Sequence, residues 1–438
     1  MNRSKILKFY VFLVGFGWAL EVGLIGRFSL SEVLMYLALP ILFFTNSNFV
    51  WNSTAVKSAL LLGVFCSAVI VSDLVNTNYL AFFMRGFARP IALGLNSLFF
   101  ALILARSQRL LIPFFVGMLP GACVGYFQSS DFVEYGLRGG YVYFSAKVQP
   151  ILFALSILLG IFAYRINRLL SVFIFLAAAI VVAVYGSRSG SFAYFMTSFT
   201  LLYTWIVKGQ KRSKLELSFS FMLKTASVII IAFSCVYWAY LYAAPRGYMG
   251  VLQQSKFYDQ SETRFGVTPL GLVAAGRTEV VAGVLAGLDN PIWGLGSWPT
   301  IGDYVIEAMD IAGEPVSDEM YMSVFQRAGG HSIIVGTWFN NGLFAVLYWL
   351  FLVFLMLRVL LLFIRRDNIL TPAVILIFYE LSWALLFSPL NLKGRLWVGI
   401  FTGLAICLTD KRGPLVPESD FAMLSPFSKL YKRRTFWR

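Results

Sequence analysis

The only histidine of the chain, His331, is the first residue whose chemistry stands out. It follows Gly329 and Gly330 and precedes Ser332, where a long polar stretch gives way to a hydrophobic run. Imidazole is the side chain that most readily accepts a proton near neutral pH. His331 is therefore a candidate general base. A histidine that merely donates to a backbone carbonyl at a helix start is the alternative that the residue alone leaves open.

Arginines on the same side of the predicted bundle could bind an anion, because a guanidinium can bind phosphate through two parallel hydrogen bonds. Arg188 lies in the segment Tyr-Gly-Ser-Arg-Ser-Gly, whose small residues let backbone N–H groups approach. Arg277 and Arg264 lie in the longest polar connection. The ordinary alternatives are snorkelling to lipid headgroups for Arg188 and ion pairing with acidic neighbours for the others. For Arg277 those neighbours are Glu279 and Asp289.

Three further arginines are weaker candidates for substrate contacts. Arg85 and Arg89 lie in an aromatic-rich segment before a hydrophobic run, where anchoring at the membrane interface is the ordinary role. Arg138 lies in the glycine-rich connection Gly-Leu-Arg-Gly-Gly and is interpreted in the same way.

Hydrophobic helices must position these side chains. Hydrophobic residues make up 59% of the chain and charged residues only 13%, and the mean hydropathy is +0.75. Apolar runs of about 18 to 20 residues can cross ~30 Å of hydrocarbon, and in lipid their backbone groups must be paired within each run. The sequence thus predicts an all-α integral membrane protein with about twelve transmembrane helices. They are predicted at roughly 6–26, 30–45, 56–74, 90–105, 110–127, 149–164, 169–186, 191–207, 218–243, 333–363, 370–387 and 396–409.

The basic residues predict the orientation of these helices. With the N-terminus inside, the internal connections carry most of the Lys and Arg residues, as the positive-inside rule requires, and both termini are internal. The net charge of +15 has the same explanation, together with attraction of the basic tail to anionic lipid. No nucleic-acid partner is therefore predicted. The four cysteines fall within predicted spans without a Cys-x-x-Cys motif and are interpreted as free thiols.

These predictions divide the chain into four parts: helices 1–9 in 1–244, a large external loop in 245–332, helices 10–12 in 333–410, and a basic internal tail in 411–438. The loop is predicted to be partly helical, because residues 280–287 have the pattern of a short amphipathic helix. A turn-rich segment with a tryptophan follows at 290–296. A long ordered loop over a membrane bundle is typical of a functional segment.

The spacing of His331 and Ser332 from Gly342, which is followed by Leu-Phe-Ala, resembles the signature of the O-antigen ligase/polymerase superfamily. In that family a histidine and a small polar residue precede a glycine on the next membrane helix. Ser332 and Ala345 depart from the commonest family residues at those places.

Three other features resemble the same family. Gly276 with Arg277 and the segment 290–296 are similar to its large-loop pattern, and Arg188 is similar to its arginine at a helix end before that loop. About twelve spans, with the large loop before the last three, match its architecture. The motifs do not separate ligases from polymerases.

The resemblance implies transfer or polymerisation of a glycan from an undecaprenyl-pyrophosphate-linked donor, at the periplasmic face of the bacterial inner membrane. His331 would be the general base, and Arg188, Arg277 and Arg264 would bind the pyrophosphate. The expected reaction inverts the anomeric centre and uses neither a cofactor nor a metal. Expected partners are the lipid-linked glycan, an acceptor glycan or glycolipid, membrane lipids and, for a polymerase, a chain-length regulator protein.

Two alternatives remain open at this point. A ligase would transfer the glycan to lipid A core, and the polymerase is preferred only because nothing marks such an acceptor. A lipid-linked glycan flippase or transporter is the alternative from another class, since twelve spans is a common transporter count. Against it, the predicted spans are nearly free of charge at their centres, with Glu21 and Glu380 as exceptions.

Overall fold

The structure is a computed structural model that describes residues 3–24, 26–45, 51–128, 144–185, 188–209, 237–249, 251–264, 266–268, 277–313, 331–366 and 368–409, with isolated positions between 227 and 235. Within these ranges it contains fifteen α-helices and one two-stranded antiparallel sheet. Five described segments are helical, long and apolar enough to cross a membrane: Ser53–Val75, Leu80–Arg106, Gln108–Phe127, Gln149–Ile166 and Leu343–Arg366. The chain is thus an all-α membrane protein, while the number twelve stays a prediction.

The elements follow one another along the chain with short connections through most of the bundle. They are α1 (Arg3–Phe16), β1 (Glu21–Leu24), β2 (Gly26–Ser29), α2 (Leu30–Thr45), α3 (Ser53–Val75), α4 (Leu80–Arg106), α5 (Leu111–Gln128), α6 (Gln149–Ile166), α7 (Arg168–Val184), α8 (Arg188–Gly209), α9 (Val251–Ser261), α10 (Thr278–Asp289), α11 (Gly302–Ala312), α12 (Ile333–Asn341), α13 (Leu343–Arg366), α14 (Thr371–Phe387) and α15 (Leu392–Thr409).

Most predicted spans within the described residues coincide with helices, because an uninterrupted apolar run is a strong signal. The prediction for 30–45 matches α2, and that for 370–387 differs from α14 by one residue. The predicted ninth span, 218–243, lies mostly outside the described residues, although 237–243 is helical. The predicted tail, 411–438, lies wholly outside them.

The first predicted span is wrong in its second half. The helix ends at Phe16, and Glu21 lies in β1, opposite Ser29 in a small hairpin. A Cβ on Gly17 would lie 2.5 Å from the backbone nitrogen of Ser31, so the chain turns there with its backbone pressed against the start of α2. Glu21 is therefore not a charge inside a membrane span.

The predicted span 333–363 is two helices. The chain breaks at Gly342, whose φ of +77° ends α12 and lets α13 start in a new direction. A Cβ there would lie 1.8 Å from the carbonyl oxygen of Ile292, so only glycine fits. The break falls at Asn340, Asn341 and Gly342, a short polar interruption with an Asn-Gly turn signal, which the prediction joined across because the runs on both sides are apolar.

Two helices begin four or more residues earlier than predicted. Because α4 begins at Leu80, Arg85 and Arg89 lie within this helix rather than before it. Because α15 begins at Leu392, Lys393 and Arg395 lie in its first turn. The apolar-run criterion stops at each charge, whereas a helix needs only continuous backbone hydrogen bonds.

Glycines bring α1 and α5 into direct backbone contact. A Cβ on Gly117 or Gly121 would lie 2.0 Å from the carbonyl oxygen of Phe12 or Phe16, respectively. Four-residue spacing of small residues is the usual way in which membrane helices pack this closely. The other helices pack around one continuous apolar core, in which α4 lies along α15 and α8 lies along α7.

The candidate site lies at one end of the bundle, which we call the loop end. It is the end at which α3 and α14 finish and at which α4, α12 and α15 begin. There α10 and α11 pack on α12 around a second apolar core, formed by Ala282, Ala286, Ile301, Val305, Ala308, Met309 and Phe339. Part of the predicted loop is thus a folded layer that rests on the membrane helices.

Candidate functional site

Ser332 fixes the position of His331 at the loop end. Its buried hydroxyl accepts a hydrogen bond from the backbone N–H of Val335 (3.2 Å) and thereby caps α12. The same hydroxyl donates to the carbonyl oxygen of Leu385 (2.9 Å), near the end of α14. The residue before it, His331, is thus held between two helices while 43% of its side chain remains exposed.

Glu279 faces His331 from the folded layer. The distance from His331 Nδ1 to Glu279 Oε1 is 3.4 Å, within ion-pair range but longer than an ordinary N–H···O hydrogen bond. Glu279 lies in the first turn of α10, where the helix dipole stabilises a carboxylate. A carboxylate at Nδ1 favours the tautomer that carries its proton there, which leaves Nε2 as the proton acceptor. Sequence reasoning considered Glu279 only as a partner of Arg277 and missed this contact.

Arg277 lies next to this pair in the chain. It is half-buried and occupies the residue before α10, two positions from Glu279. No carboxylate among the described residues lies within ion-pair distance of Arg277. The alternative partner Asp289 lies at the other end of α10 and accepts a hydrogen bond from the hydroxyl of Tyr304 (2.9 Å). Among the described residues, Arg277 therefore forms no ion pair with Glu279 or with Asp289.

Arg188 is the first residue of α8. The first turn of α8 contacts α7 and α14 at the loop end. The hydroxyl of Ser191 donates to the carbonyl oxygen of Ala179 (2.9 Å), which ties α8 to α7. The ring of Phe192 packs against Trp383 of α14, with ring centroids 5.6 Å apart. The backbone of Arg188 therefore begins beside α14, which also holds Ser332. Its side chain lies outside the described part.

The remaining predicted arginines are placed differently. Arg264 has an exposed side chain, and its backbone N–H donates to the carbonyl oxygen of Ala312 (2.9 Å) at the end of α11. No contact among the described residues joins Arg264 to His331. Arg85 is exposed on α4, and Arg138 lies outside the described residues.

Arg89 is half-buried on α4 and stacks on a tryptophan of the folded layer. Its guanidinium carbon lies 4.4 Å from the ring centroid of Trp298. The sequence made Arg89 a weaker candidate for a substrate contact, with anchoring at the membrane interface as its ordinary role. The longer α4 instead carries it into contact with the segment that follows residues 290–296.

The segment 290–296 itself is clamped to the end of α12. The backbone N–H groups of Leu295 and Gly296 donate to the carbonyl oxygens of Phe339 (2.7 Å) and Asn340 (2.8 Å). Gly294, with φ of +71°, lies so close that a Cβ would be 2.6 Å from the backbone of Asn340. The glycines of this motif thus serve a close backbone approach.

A second clamp joins the same segment to α3. Asp73, which is buried, accepts hydrogen bonds from the backbone N–H (2.5 Å) and the hydroxyl (2.8 Å) of Ser297. The amide of Asn78 donates to Asp73 (2.6 Å) and to the carbonyl oxygen of Ser297 (3.2 Å). The two clamps fix the position of the folded layer, and with it Glu279, over the membrane helices.

Charged pairs that the sequence did not predict lie at the same end. Arg395 contacts Glu32 at 2.9 Å, and Lys393 contacts Glu380 at 2.6 Å. Glu32 is fully buried and accepts a hydrogen bond from the backbone N–H of Ser29 (3.1 Å), whose hydroxyl caps α2 in return. The pattern Ser-x-x-Glu before an apolar run is a capping box, and it could have identified Glu32 as ordered.

An apolar groove opens beside the loop end, between α3 and the start of α13. Its volume is about 540 Å³. Small residues of α3 such as Gly63 and Ser67 line one side, and Trp293 and Phe344 line the other. The described residues contain no group of three His, Cys, Asp or Glu side chains that could hold a metal ion.

Comparison of the chain with protein-family models and with curated proteins gave no match. Membership of the O-antigen ligase/polymerase superfamily therefore stays a prediction from the motifs.

Proposed function

We propose that the protein is a glycosyltransferase of the bacterial inner membrane. It transfers or polymerises a glycan from an undecaprenyl-pyrophosphate-linked donor onto an acceptor sugar hydroxyl at the periplasmic face. The observation that carries this proposal is the contact between His331 and Glu279 at the loop end. A histidine oriented by a carboxylate is a recurring arrangement in general-base catalysis.

In the proposed reaction His331 Nε2 removes the proton of the acceptor hydroxyl as its oxygen attacks the anomeric carbon of the donor. The bond from that carbon to the pyrophosphate oxygen breaks, and the pyrophosphate leaves with the bonding electrons. One displacement inverts the anomeric centre. Glu279 stabilises the imidazolium that forms, because a negative charge beside a developing positive charge lowers the barrier.

Arginines at the loop end would stabilise the departing pyrophosphate. Arg277 beside Glu279, and Arg188 at the start of α8, are the first candidates, because their backbones lie on elements that meet near Ser332. Arg264 remains a candidate only if its exposed side chain reaches the same site.

The membrane supplies the donor in this proposal. If both termini are cytoplasmic, as the basic residues predict, the loop end and His331 face the periplasm. The groove between α3 and α13 opens to the side of the bundle, so the carrier lipid would reach the loop end laterally between helices. Acceptor glycans or glycolipids would come from the periplasm, and a polymerase would also meet a chain-length regulator protein.

One observation favours the transporter alternative. The pairs Glu32–Arg395 and Glu380–Lys393 lie on membrane helices at the loop end, whereas the sequence had indicated spans nearly free of charge. Paired charges inside membrane helices are common along transport pathways. The same residues could equally orient the loop end of a transferase, so the two functions need a direct test.

The test is transfer in vitro by purified protein in nanodiscs, with the polyprenyl-pyrophosphate glycan of the source strain as donor. The wild type is compared with His331→Ala, Arg188→Ala and Arg277→Ala. Arg246→Ala serves as the matched control, because Arg246 is an exposed arginine that stacks on Tyr242 at 3.9 Å.

We expect the wild type and the control to transfer glycan without nucleotide, and the three variants to lose transfer while folding normally. Ladder products would identify a polymerase, and a single lipid A-core adduct would identify a ligase. If a validated donor and acceptor pair gives no transfer but the protein moves the lipid-linked glycan across liposomes, the protein is a transporter.

A further inference from the structure

The loop end contains a half-buried positive charge that has no acidic partner among the described residues. Arg89 contacts the ring of Trp298, and no described carboxylate lies within ion-pair distance of it. Two cations near it are paired, Arg395 with Glu32 and Lys393 with Glu380. Burial of an unpaired charge is unfavourable, so a compensating anion would stabilise Arg89 in this position.

Arg395 makes the position of Arg89 still less favourable. It lies close enough for its positive charge to act on Arg89. It cannot move away, because its guanidinium nitrogen is held 2.9 Å from the fully buried carboxylate of Glu32. Two cations and one carboxylate leave an excess of one positive charge beside Trp298. An anion between the two guanidinium groups would offset that excess.

Trp298 supplies a second, independent indication. Its indole nitrogen is buried and has no hydrogen-bond acceptor among the described residues. Buried indole N–H groups normally have an acceptor. Trp298 also adopts φ of +61°, which is rare for a bulky residue. The hydrogen bonds of the preceding Ser297 to Asp73 hold it in this conformation.

We propose that Arg89 and the indole N–H of Trp298, with Arg395 behind them, form a binding site for a phosphate oxyanion at the loop end. A tetrahedral phosphate has enough acceptor oxygens for the two N–H groups of a guanidinium fork and for an indole N–H at the same time. The site lies two to three turns inside α4, near the end of a membrane helix, where a long basic side chain can reach lipid headgroups. It uses neither His331 nor the arginines assigned to the glycan donor.

The phosphate can come from two sources, and the experiment has one arm for each. In the first arm, purified protein in detergent is titrated with inorganic pyrophosphate, and the rise of Tm gives the dissociation constant. In the second arm, the protein is reconstituted in nanodiscs of phosphatidylglycerol mixed with phosphatidylcholine. Native mass spectrometry then measures which lipid the extracted protein retains.

Three variants are compared with the wild type in both arms. Arg89→Gln removes the charge, and Trp298→Phe keeps an aromatic ring at this position but removes the indole N–H. Arg246→Gln is the matched control, because Arg246 also stacks on an aromatic ring, at 3.9 Å from Tyr242, but is exposed on the surface. We expect Arg89→Gln to weaken binding about tenfold to a hundredfold, Trp298→Phe to weaken it less, and the control to behave as the wild type.

The Tm values without ligand provide a further check. Because Arg89 is an unpaired half-buried charge, Arg89→Gln should unfold at a temperature no lower than that of the wild type. If the variant unfolds at a much lower temperature while Trp298→Phe binds as the wild type does, Arg89 is structural and the proposal is wrong.

The two arms decide the source. A response to pyrophosphate that Arg89→Gln loses identifies a free or donor phosphate, and selective retention of phosphatidylglycerol that Arg89→Gln loses identifies a lipid headgroup. Equal behaviour of wild type and Arg89→Gln in both arms, including no response in either, overturns the proposal. Neither arm requires glycan transfer, so a failure of the proposed transferase function would leave this result unchanged.

Discussion

His331 and Glu279 come from different layers of the protein and meet at 3.4 Å. His331 precedes a membrane-bundle helix that Ser332 ties to α14, whereas Glu279 belongs to the first turn of a helix that packs over the bundle. The pair therefore exists only while the folded layer is docked. Any change that loosens this layer should act on the histidine at a distance.

The first prediction concerns the pair itself. His331→Ala should lower the transfer rate by about 10²- to 10⁴-fold, the range that general bases contribute. Glu279→Gln should lower it less, by about tenfold or more, because the imidazole loses its orienting charge. The double variant should be no slower than His331→Ala alone, since the two residues act as a unit. Glu307→Gln, at an exposed acid of α11, is the control; equal rates for both glutamine variants would contradict the pairing.

The second prediction concerns the clamp between α3 and the folded layer. The carboxylate of Asp73 accepts hydrogen bonds from the backbone N–H of Ser297 with one oxygen and from the hydroxyl of Ser297 with the other. In Asp73→Asn only one of these two atoms is still an oxygen, so only one of the two hydrogen bonds can be kept in this geometry. We expect the folded layer to lose about 1.5–3 kcal/mol of docking free energy. Limited proteolysis within 277–313 should then be faster and the transfer rate lower. Asp310→Asn removes an exposed acid of α11, and if it has the same effect the clamp is not responsible.

The third prediction concerns the break between α12 and α13. Gly342→Ala forces a side chain into φ of +77° and places its Cβ 1.8 Å from the carbonyl oxygen of Ile292. The strained backbone alone costs about 1–3 kcal/mol, and the clash adds to it. The variant should unfold at a clearly lower temperature in detergent. Gly63→Ala, on α3 where a Cβ meets nothing within 4 Å, should be as stable as the wild type.

The fourth prediction uses pH to report on the folded layer. Burial raises the pKa of Tyr304 above its ordinary value, and the hydrogen bond to Asp289 adds to the effect. Because the folded-state pKa is the higher one, the contribution of the hydroxyl to stability is present below the unfolded-state pKa of about 10. It is lost as the pH rises through the folded-state pKa. The difference in Tm between wild type and Tyr304→Phe should therefore shrink above about pH 10 and stay constant from pH 7 to 9.

A constant difference across the whole range would contradict this assignment. The difference in ultraviolet absorbance between the wild type and Tyr304→Phe at high pH measures the ionisation of the Tyr304 hydroxyl directly.

The sequence predicted the helices well where one segment decides the structure. An apolar run determines α2 or α14 without help from the rest of the chain, and the short helix over 280–287 follows from its own periodicity. His331 could be singled out because it is the only imidazole. Each of these inferences depends on local residues alone.

What the sequence could not predict depends on residues that are far apart in the chain. Gly342 breaks a helix because Ile292 approaches it, and Glu279 gains its role because His331 is carried to it. The ion pair of Arg395 needs a carboxylate 363 residues away. Periodicity contains no information about such pairs, so they became visible only once the helices were packed.

The pair of Glu32 and Arg395 also has a consequence for synthesis of the chain. At about 5–20 residues per second, the 363 residues between them take about 20 to 70 seconds to appear. During this interval α2 is in the membrane with its carboxylate paired only to nearby groups such as the backbone N–H of Ser29. Helix α15 must therefore reach the first hairpin before this ion pair can form, and a ribosome that stalls ahead of α15 would leave a nascent chain whose Glu32 lacks its cationic partner.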